Sequence, residues 1–216
     1  MNLKATYRAL VAAVWLALGA SSGTAGTLAG SAHDFSTASW GGGQICVPCH
    51  TPHKANAGVS AAPLWNHTVT TQVYTLYALL GGKAIMGQPT VGDKLCLSCH
   101  DGTVALDSYR GLTGATFVSA ANNLGTNLGV HHPSSFHYDT SLATANGSLF
   151  DPTTKLVTIG TGTQVKTGTI GAILLSAGQV QCSSCHDVHN TFNATTKNLL
   201  KMSMATSAMC FACHNY

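Results

Sequence analysis

The alternation of hydrophobic and polar residues predicts only a few regular elements in this chain. From Lys155 to Ile159 and from Gln164 to Ile170, apolar and polar residues alternate around Gly160-Thr161-Gly162, which is the pattern of a β-hairpin. The spacing from Val69 to Leu80 predicts a helix packed on haem, although this run is rich in β-branched residues. Stretches of Gly, Thr, Ser and Asn elsewhere favour turns and coil. The pattern therefore predicts a mostly irregular chain with few short helices and one small hairpin.

The N-terminus has the pattern of a secretory signal peptide. Lys4 and Arg8 form a basic region, an apolar run follows from Ala9 to Ala20, and Gly23 and Ala25 occupy the positions of a cleavage site. The apolar run is shorter than the roughly 20 residues that a spanning helix requires. We therefore expect a signal peptide over residues 1–25, one mature domain over residues 26–216, and no membrane span.

Charged residues are scarce in this chain. They make up 8% of it, glutamate does not occur, and the formal net charge is +3. Without Lys4 and Arg8, eight basic residues remain against seven acidic ones. Such a chain offers no basic stripe for nucleic acid. It also has little surface charge with which to repel other copies of itself.

All eight cysteines occur in four C-x-x-C pairs, and a histidine directly follows each pair. This is the attachment signature of c-type haem, in which both thiols bond to haem vinyl groups and the histidine is the proximal iron ligand. Zinc and iron–sulfur sites do not require a histidine at the same offset four times. We therefore predict four covalently attached haems c rather than a disulfide framework. The attaching residues are Cys46, Cys49, Cys96, Cys99, Cys182, Cys185, Cys210 and Cys213, and the proximal ligands are His50, His100, His186 and His214.

Seven further histidines compete for the sixth ligand positions of the four irons. Some precede a motif, whereas others follow a motif histidine by three residues and are better placed to reach a neighbouring haem than their own. Methionine is the rival ligand, but the methionines here lie in apolar surroundings and are more typical of a core. We interpret His131 and His137 as bystanders. Five candidates then remain for four positions, namely His33, His53, His67, His132 and His189.

The polypeptide is short for the number of haems that it carries, so it cannot build a large core alone. We expect the macrocycles to form the core and the chain to wrap them. Without haem we expect no stable fold, as for other small domains whose folding energy comes from a metal site.

The order of the motifs resembles a known family. The series consists of His-Asp-Phe-Ser (33–36), Cys-Val-Pro-Cys-His-Thr-Pro-His (46–53), Pro-Leu-Trp-Asn-His (63–67), Cys-Leu-Ser-Cys-His-Asp-Gly-Thr (96–103), His-Pro-Ser-Ser-Phe (132–136) and Cys-Ser-Ser-Cys-His-Asp-Val-His (182–189). It is similar to that of the doubled C-x-x-C-H cytochromes, and more narrowly to OmcE-type tetrahaem outer-surface cytochromes of metal-reducing bacteria.

The resemblance implies a secreted electron-transfer protein that polymerises into an extracellular filament with a continuous chain of bis-histidine haems. It also implies that a histidine of the adjacent subunit ligates one iron. Among the candidates, His53 is our first choice for this linking ligand. His33, His67, His132 and His189 would then compete for three local positions, and His189 is the weakest of them because the other three each precede a motif.

The sequence leaves three functions in competition. A conducting homopolymer that passes electrons to other redox proteins or extracellular acceptors agrees with the low charge and the ligand surplus. A monomeric periplasmic electron shuttle would have the same haems but a more charged surface. An enzyme would need an open iron position, whereas every C-x-x-C here is followed by histidine and candidate ligands exceed the irons.

Overall fold

The computed structural model describes residues 28–77, 87–192 and 198–215. The predicted signal peptide lies outside these ranges. The described helices are α1 (Val91–His100), α2 (Thr140–Asn146), α3 (Ile170–Ile173), α4 (Cys182–Cys185) and α5 (Ala208–Phe211), and the strands are β1 (Phe136–His137), β2 (Leu156–Ile159), β3 (Lys166–Thr169) and β4 (Gln179–Val180). Short 3₁₀ turns cover Ala120–Asn122, Leu128–Val130, Gly162–Gln164 and Ala205–Ser207.

The predicted hairpin is confirmed. Strands β2 and β3 pair antiparallel, with Leu156 opposite Thr169 and Ile159 opposite Lys166. Gly160 begins the turn at φ +82°, and a Cβ there would lie 2.3 Å from the carbonyl oxygen of Gln164. Only glycine fits this position, because a side chain would combine a left-handed backbone with a clash. The second pair, β1 with β4, is also antiparallel.

A protein core forms around the hairpin. Ile170 is fully buried and Ile159 is 1% exposed. They pack with Tyr138, Leu174 and Met209, and the partly buried Cys185 and Cys213 lie against the same cluster. The third and fourth motifs are therefore held against packed side chains of the second half of the chain.

The predicted helix from Val69 to Leu80 is wrong over its described part. Residues 69–77 form no helix, and residues 78–80 lie outside the described ranges. Thr75 instead forms a parallel bridge with Asn127, and the Tyr74 N–H donates to Oε1 of Gln88 at 2.9 Å. β-Branched residues lose side-chain freedom in a helix, and the bonds to Asn127 and Gln88 satisfy an extended backbone instead. Tertiary contacts therefore override the helical spacing of the apolar residues.

The fold class is confirmed in its coarser form, with few short helices, two small two-stranded sheets and much coil. Within the ranges that the structure describes, no helix has both the length and the apolar character needed to cross a bilayer.

Candidate functional site: four cysteine–histidine motifs

Each C-x-x-C-H motif closes on itself as a helical turn. The backbone N–H of the motif histidine donates to the carbonyl of the first cysteine, at 2.8 Å in the first motif, 3.0 Å in the third and 2.9 Å in the fourth. The second motif forms the last part of α1. Residues three and four positions apart share one face of a helical turn. Both thiols and the imidazole of each motif therefore point towards the same side, as attachment to one porphyrin requires.

The rings of three motif histidines are oriented by backbone carbonyls. Nδ1 lies 2.8 Å from the oxygen of Pro63 for His50, 2.9 Å from that of Asn122 for His100, and 2.8 Å from that of Asn198 for His186. The fourth, His214, has a backbone hydrogen bond with Ser148. An Nδ1–H that donates to a carbonyl leaves Nε2 as the basic nitrogen, which is the arrangement of a metal-ligating histidine.

Three of the four motif histidines lie opposite a second histidine. The distances between ring centroids are 6.2 Å for His50 and His189, 6.1 Å for His100 and His33, and 6.5 Å for His214 and His132. Two imidazoles on opposite sides of one metal ion, each bonded at about 2 Å, place their centroids roughly 6.3 Å apart. The three spacings therefore fit bis-histidine irons.

The remaining motif histidine, His186, is different. No described histidine ring faces it in a comparable pair, although it lies close enough to His33 to affect that ring electrostatically. A cavity of about 210 Å³ lies beside the third motif and is lined by Cys182, Cys185 and His186 together with His131 and His132. Apolar side chains complete its wall, among them Leu76, Leu97, Leu124 and Leu128. This lining suits the edge of a macrocycle.

The other two predicted candidates, His67 and His53, are not part of the three ring pairs. Nδ1 of the buried His67 lies 2.8 Å from the Thr68 carbonyl oxygen, and its Nε2 lies 3.0 Å from that of Ala105 and 3.7 Å from Sγ of Cys99. It therefore lies beside the second motif rather than opposite a motif histidine. His53 is exposed, and its backbone is held by Thr51.

The two histidines interpreted as bystanders also differ from each other. His137 is exposed on β1, and its Nε2 lies 3.3 Å from the side-chain amide of Gln179. His131 lines the third-motif cavity, with Nε2 3.2 Å from the carbonyl oxygen of Leu124. Sequence reasoning missed this position. The signal in the sequence was the adjacent pair His131-His132, because two consecutive side chains can face different sites where the chain bends.

Burial shapes the chemistry of the motif thiols. It raises the pKa of Cys49 to about 11 and those of Cys99 and Cys213 to about 12. Dithiols that act in disulfide exchange have lowered pKa values, since the thiolate is the nucleophile. The three second cysteines differ from this pattern, whereas a hydrogen bond with Cys182 lowers the pKa of Cys96. None of the eight cysteines is in a disulfide, and the described residues contain no cluster of three or more His, Cys, Asp or Glu side chains suited to a bare metal ion.

The candidate ligand His33 is the most strongly perturbed imidazole. Burial, followed by the nearby His100, His186 and His189, lowers its pKa to about 4, while a hydrogen bond with the Val188 backbone raises it. A neutral imidazole is the form that binds a metal ion. The lowered pKa of His33 and its place opposite His100 fit the prediction that it is a ligand.

Comparison with protein families agrees with this geometry. Residues 175–216 match the family model described as a doubled CXXCH motif, a segment that includes the third and fourth motifs. No curated protein matches the chain significantly. The match supports a multihaem c-type cytochrome, a class of electron-transfer proteins with covalently bound haem. Haem attachment of this type occurs outside the cytoplasm.

Proposed function

We propose that this protein carries electrons outside the cell through four bis-histidine haems, as the subunit of a filament in which a histidine of one copy ligates an iron of the next. The observation that carries the proposal is the unequal pairing of the motif histidines. His50, His100 and His214 each face a second imidazole, whereas the surplus candidate His53 is exposed near the start of the mature domain. This arrangement favours the iron bound by His186 as the one that takes its second ligand from a neighbouring copy.

The chain's own residues supply the geometry that such a conductor needs. Bound haem contributes a reversible one-electron change at its iron. The backbone carbonyls of Pro63, Asn122 and Asn198 fix the rings of three motif histidines, and the helical turns keep the thiols on the same side as those rings. Because the histidine rings are fixed before an electron arrives, haems bound to them would keep their positions during transfer.

The link between subunits is assigned to His53 for a local reason. Pro52 fixes the backbone dihedral before it, and Thr51 holds the backbone of His53 through its hydroxyl at 2.9 Å. The imidazole is therefore directed outward from the first motif. The low charge of the chain removes much of the repulsion that would oppose stacking of copies.

A monomeric periplasmic shuttle is the second candidate, and one observation favours it. His131 lines the same cavity as His186, so a change in its side-chain position would complete the fourth iron within one copy. In that case every sixth ligand would be local, and no histidine would be needed from a neighbour.

The test compares three alanine variants of the secreted haem protein, His53→Ala, His131→Ala and the exposed control His137→Ala. Electron microscopy measures filament formation, and absorption spectra measure the share of high-spin haem. We expect His53→Ala to keep four haems per chain, to lose filaments, and to convert a quarter of the haem to high spin. The other two variants should match the wild type.

Two outcomes contradict the filament proposal. Filaments with unaltered spectra in His53→Ala would show that His53 is not the linking ligand. If the wild type is monomeric and only His131→Ala becomes a quarter high-spin, the result supports the shuttle instead.

A further inference from the structure

A buried carboxylate lies between the second and third motifs. Asp93 is 0% exposed and stands in the first turn of α1, three residues before Cys96. Aspartate is rarely buried completely unless its oxygens are bonded. Its environment therefore needs a specific explanation.

Both carboxylate oxygens of Asp93 accept hydrogen bonds. The backbone N–H of Cys182 donates to Oδ1 at 2.7 Å, and the hydroxyl of Ser135 donates to Oδ2 at 2.5 Å. The Thr90 N–H in turn donates to the Ser135 oxygen at 3.0 Å, so the hydroxyl proton of Ser135 is available to Asp93. Both partners are donors, which is the set of partners that a carboxylate accepts from.

These bonds join the two neighbouring haem-attachment helices. Asp93 belongs to α1 with the second motif, and Cys182 is both the first residue of α4 and the first cysteine of the third motif. The Cys96 and Cys182 thiols also contact each other through a hydrogen bond, which together with burial raises the pKa of Cys182. One carboxylate therefore lies near the attachment points of two different haems.

No basic side chain in the described part of the chain forms an ion pair with Asp93; its bonded partners are Cys182 and Ser135. Two hydrogen bonds stabilise a buried carboxylate without cancelling its charge. The low dielectric of a protein interior extends the influence of that charge over neighbouring groups.

We propose that Asp93 is a positioning and potential-setting residue that lowers the reduction potentials of the second and third haems relative to the first and fourth. A nearby negative charge favours the ferric state over the ferrous state, in which the iron has gained one electron. The carboxylate itself is not consumed. This inference rests on the haem attachment assigned under the proposed function.

The experiment compares the wild-type haem protein with Asp93→Asn, using Asp139→Asn as the matched control. Asp139 is exposed and accepts from the Leu142 N–H at the start of α2, a cap that asparagine also provides. Spectroelectrochemical titration measures the four midpoints, while haem staining and intact mass count the haems. We expect two midpoints to rise in Asp93→Asn, each by about tenfold in the ferrous-to-ferric ratio, or about 59 mV.

Several results would overturn the inference. Four unchanged midpoints in an Asp93→Asn protein that keeps four haems would show that Asp93 does not set the potentials. An equal rise of all four, matching Asp139→Asn, would show a general charge effect. If Asp93→Asn does not accumulate, Ser135→Ala keeps the charge but removes one donor, and we expect the same two midpoints to fall; unchanged values there would overturn the inference. A wild-type chain with fewer than four haems would instead contradict the proposed function.

Discussion

The pairing of His189 with His50 can be tested by removing one imidazole. The planes of the two rings are inclined by 21° and their centroids lie 6.2 Å apart, close to the roughly 6.3 Å expected of two ligands on one metal ion. The hydrogen bond from His189 uses its backbone N–H, which donates to Asp187 at 3.2 Å. Because the side chain is exposed, His189→Ala should remove the iron bond and little else.

The magnitude follows from the number of motifs. One of the four haems should become five-coordinate and high-spin, while the other three keep both ligands. Reduced His189→Ala should therefore bind one carbon monoxide per chain, and a quarter of the haem absorbance should shift. Wild-type protein and the exposed His137→Ala control should show little change.

Two results would refute this reasoning. An unaltered spectrum with no carbon monoxide binding would mean that another residue ligates the iron at His50. A change in two haems would mean that His189 also positions His33, whose ring bonds the backbone of the adjacent Val188.

Three further predictions concern the stability of the fold. Tyr74→Phe should lower the unfolding free energy by about 1.5–3 kcal/mol, because the buried Tyr74 hydroxyl donates to the Asp101 carboxylate at 2.6 Å; an unchanged Tm would contradict this. Ile170→Ala should lower it by about 2–5 kcal/mol, since the side chain is fully buried, and denaturant unfolding would measure the loss. Chain produced without haem attachment should be protease-sensitive and lack cooperative unfolding, because we expect the haems to supply most of the apolar core; a cooperative transition would show otherwise.

Local features of this protein were predictable from sequence, whereas contacts between distant segments were not. The C-x-x-C-H spacing specifies a helical turn that depends only on neighbouring residues, and the Gly160 turn specifies the hairpin. The partner of His50 depends on the path of the whole chain, so sequence position makes His189 the weakest candidate although the structure brings it to that ring. The strand-like conformation around Thr75 likewise depends on Asn127.

The role of Asp93 illustrates the same limit. In the sequence it is an ordinary acidic residue in the first turn of a helix, where it interacts favourably with the helix dipole. Its burial and its bond to Cys182 arise only when α1 packs on α4. Side-chain type alone therefore identifies the haem-attachment residues but not the groups that tune them.

The ring pairs also have a consequence for folding. His50 and His189, His100 and His33, and His214 and His132 each join segments far apart in the sequence, so every iron bond would close a long loop of chain. Such closures constrain the unfolded ensemble as disulfides do, and long loops gain most in the chain-entropy account. Unlike disulfides, they can be opened by a competing ligand. With His189 as its second ligand, the iron of the first motif would stay incompletely coordinated until the segment that carries His189 had also reached the compartment where haem is attached.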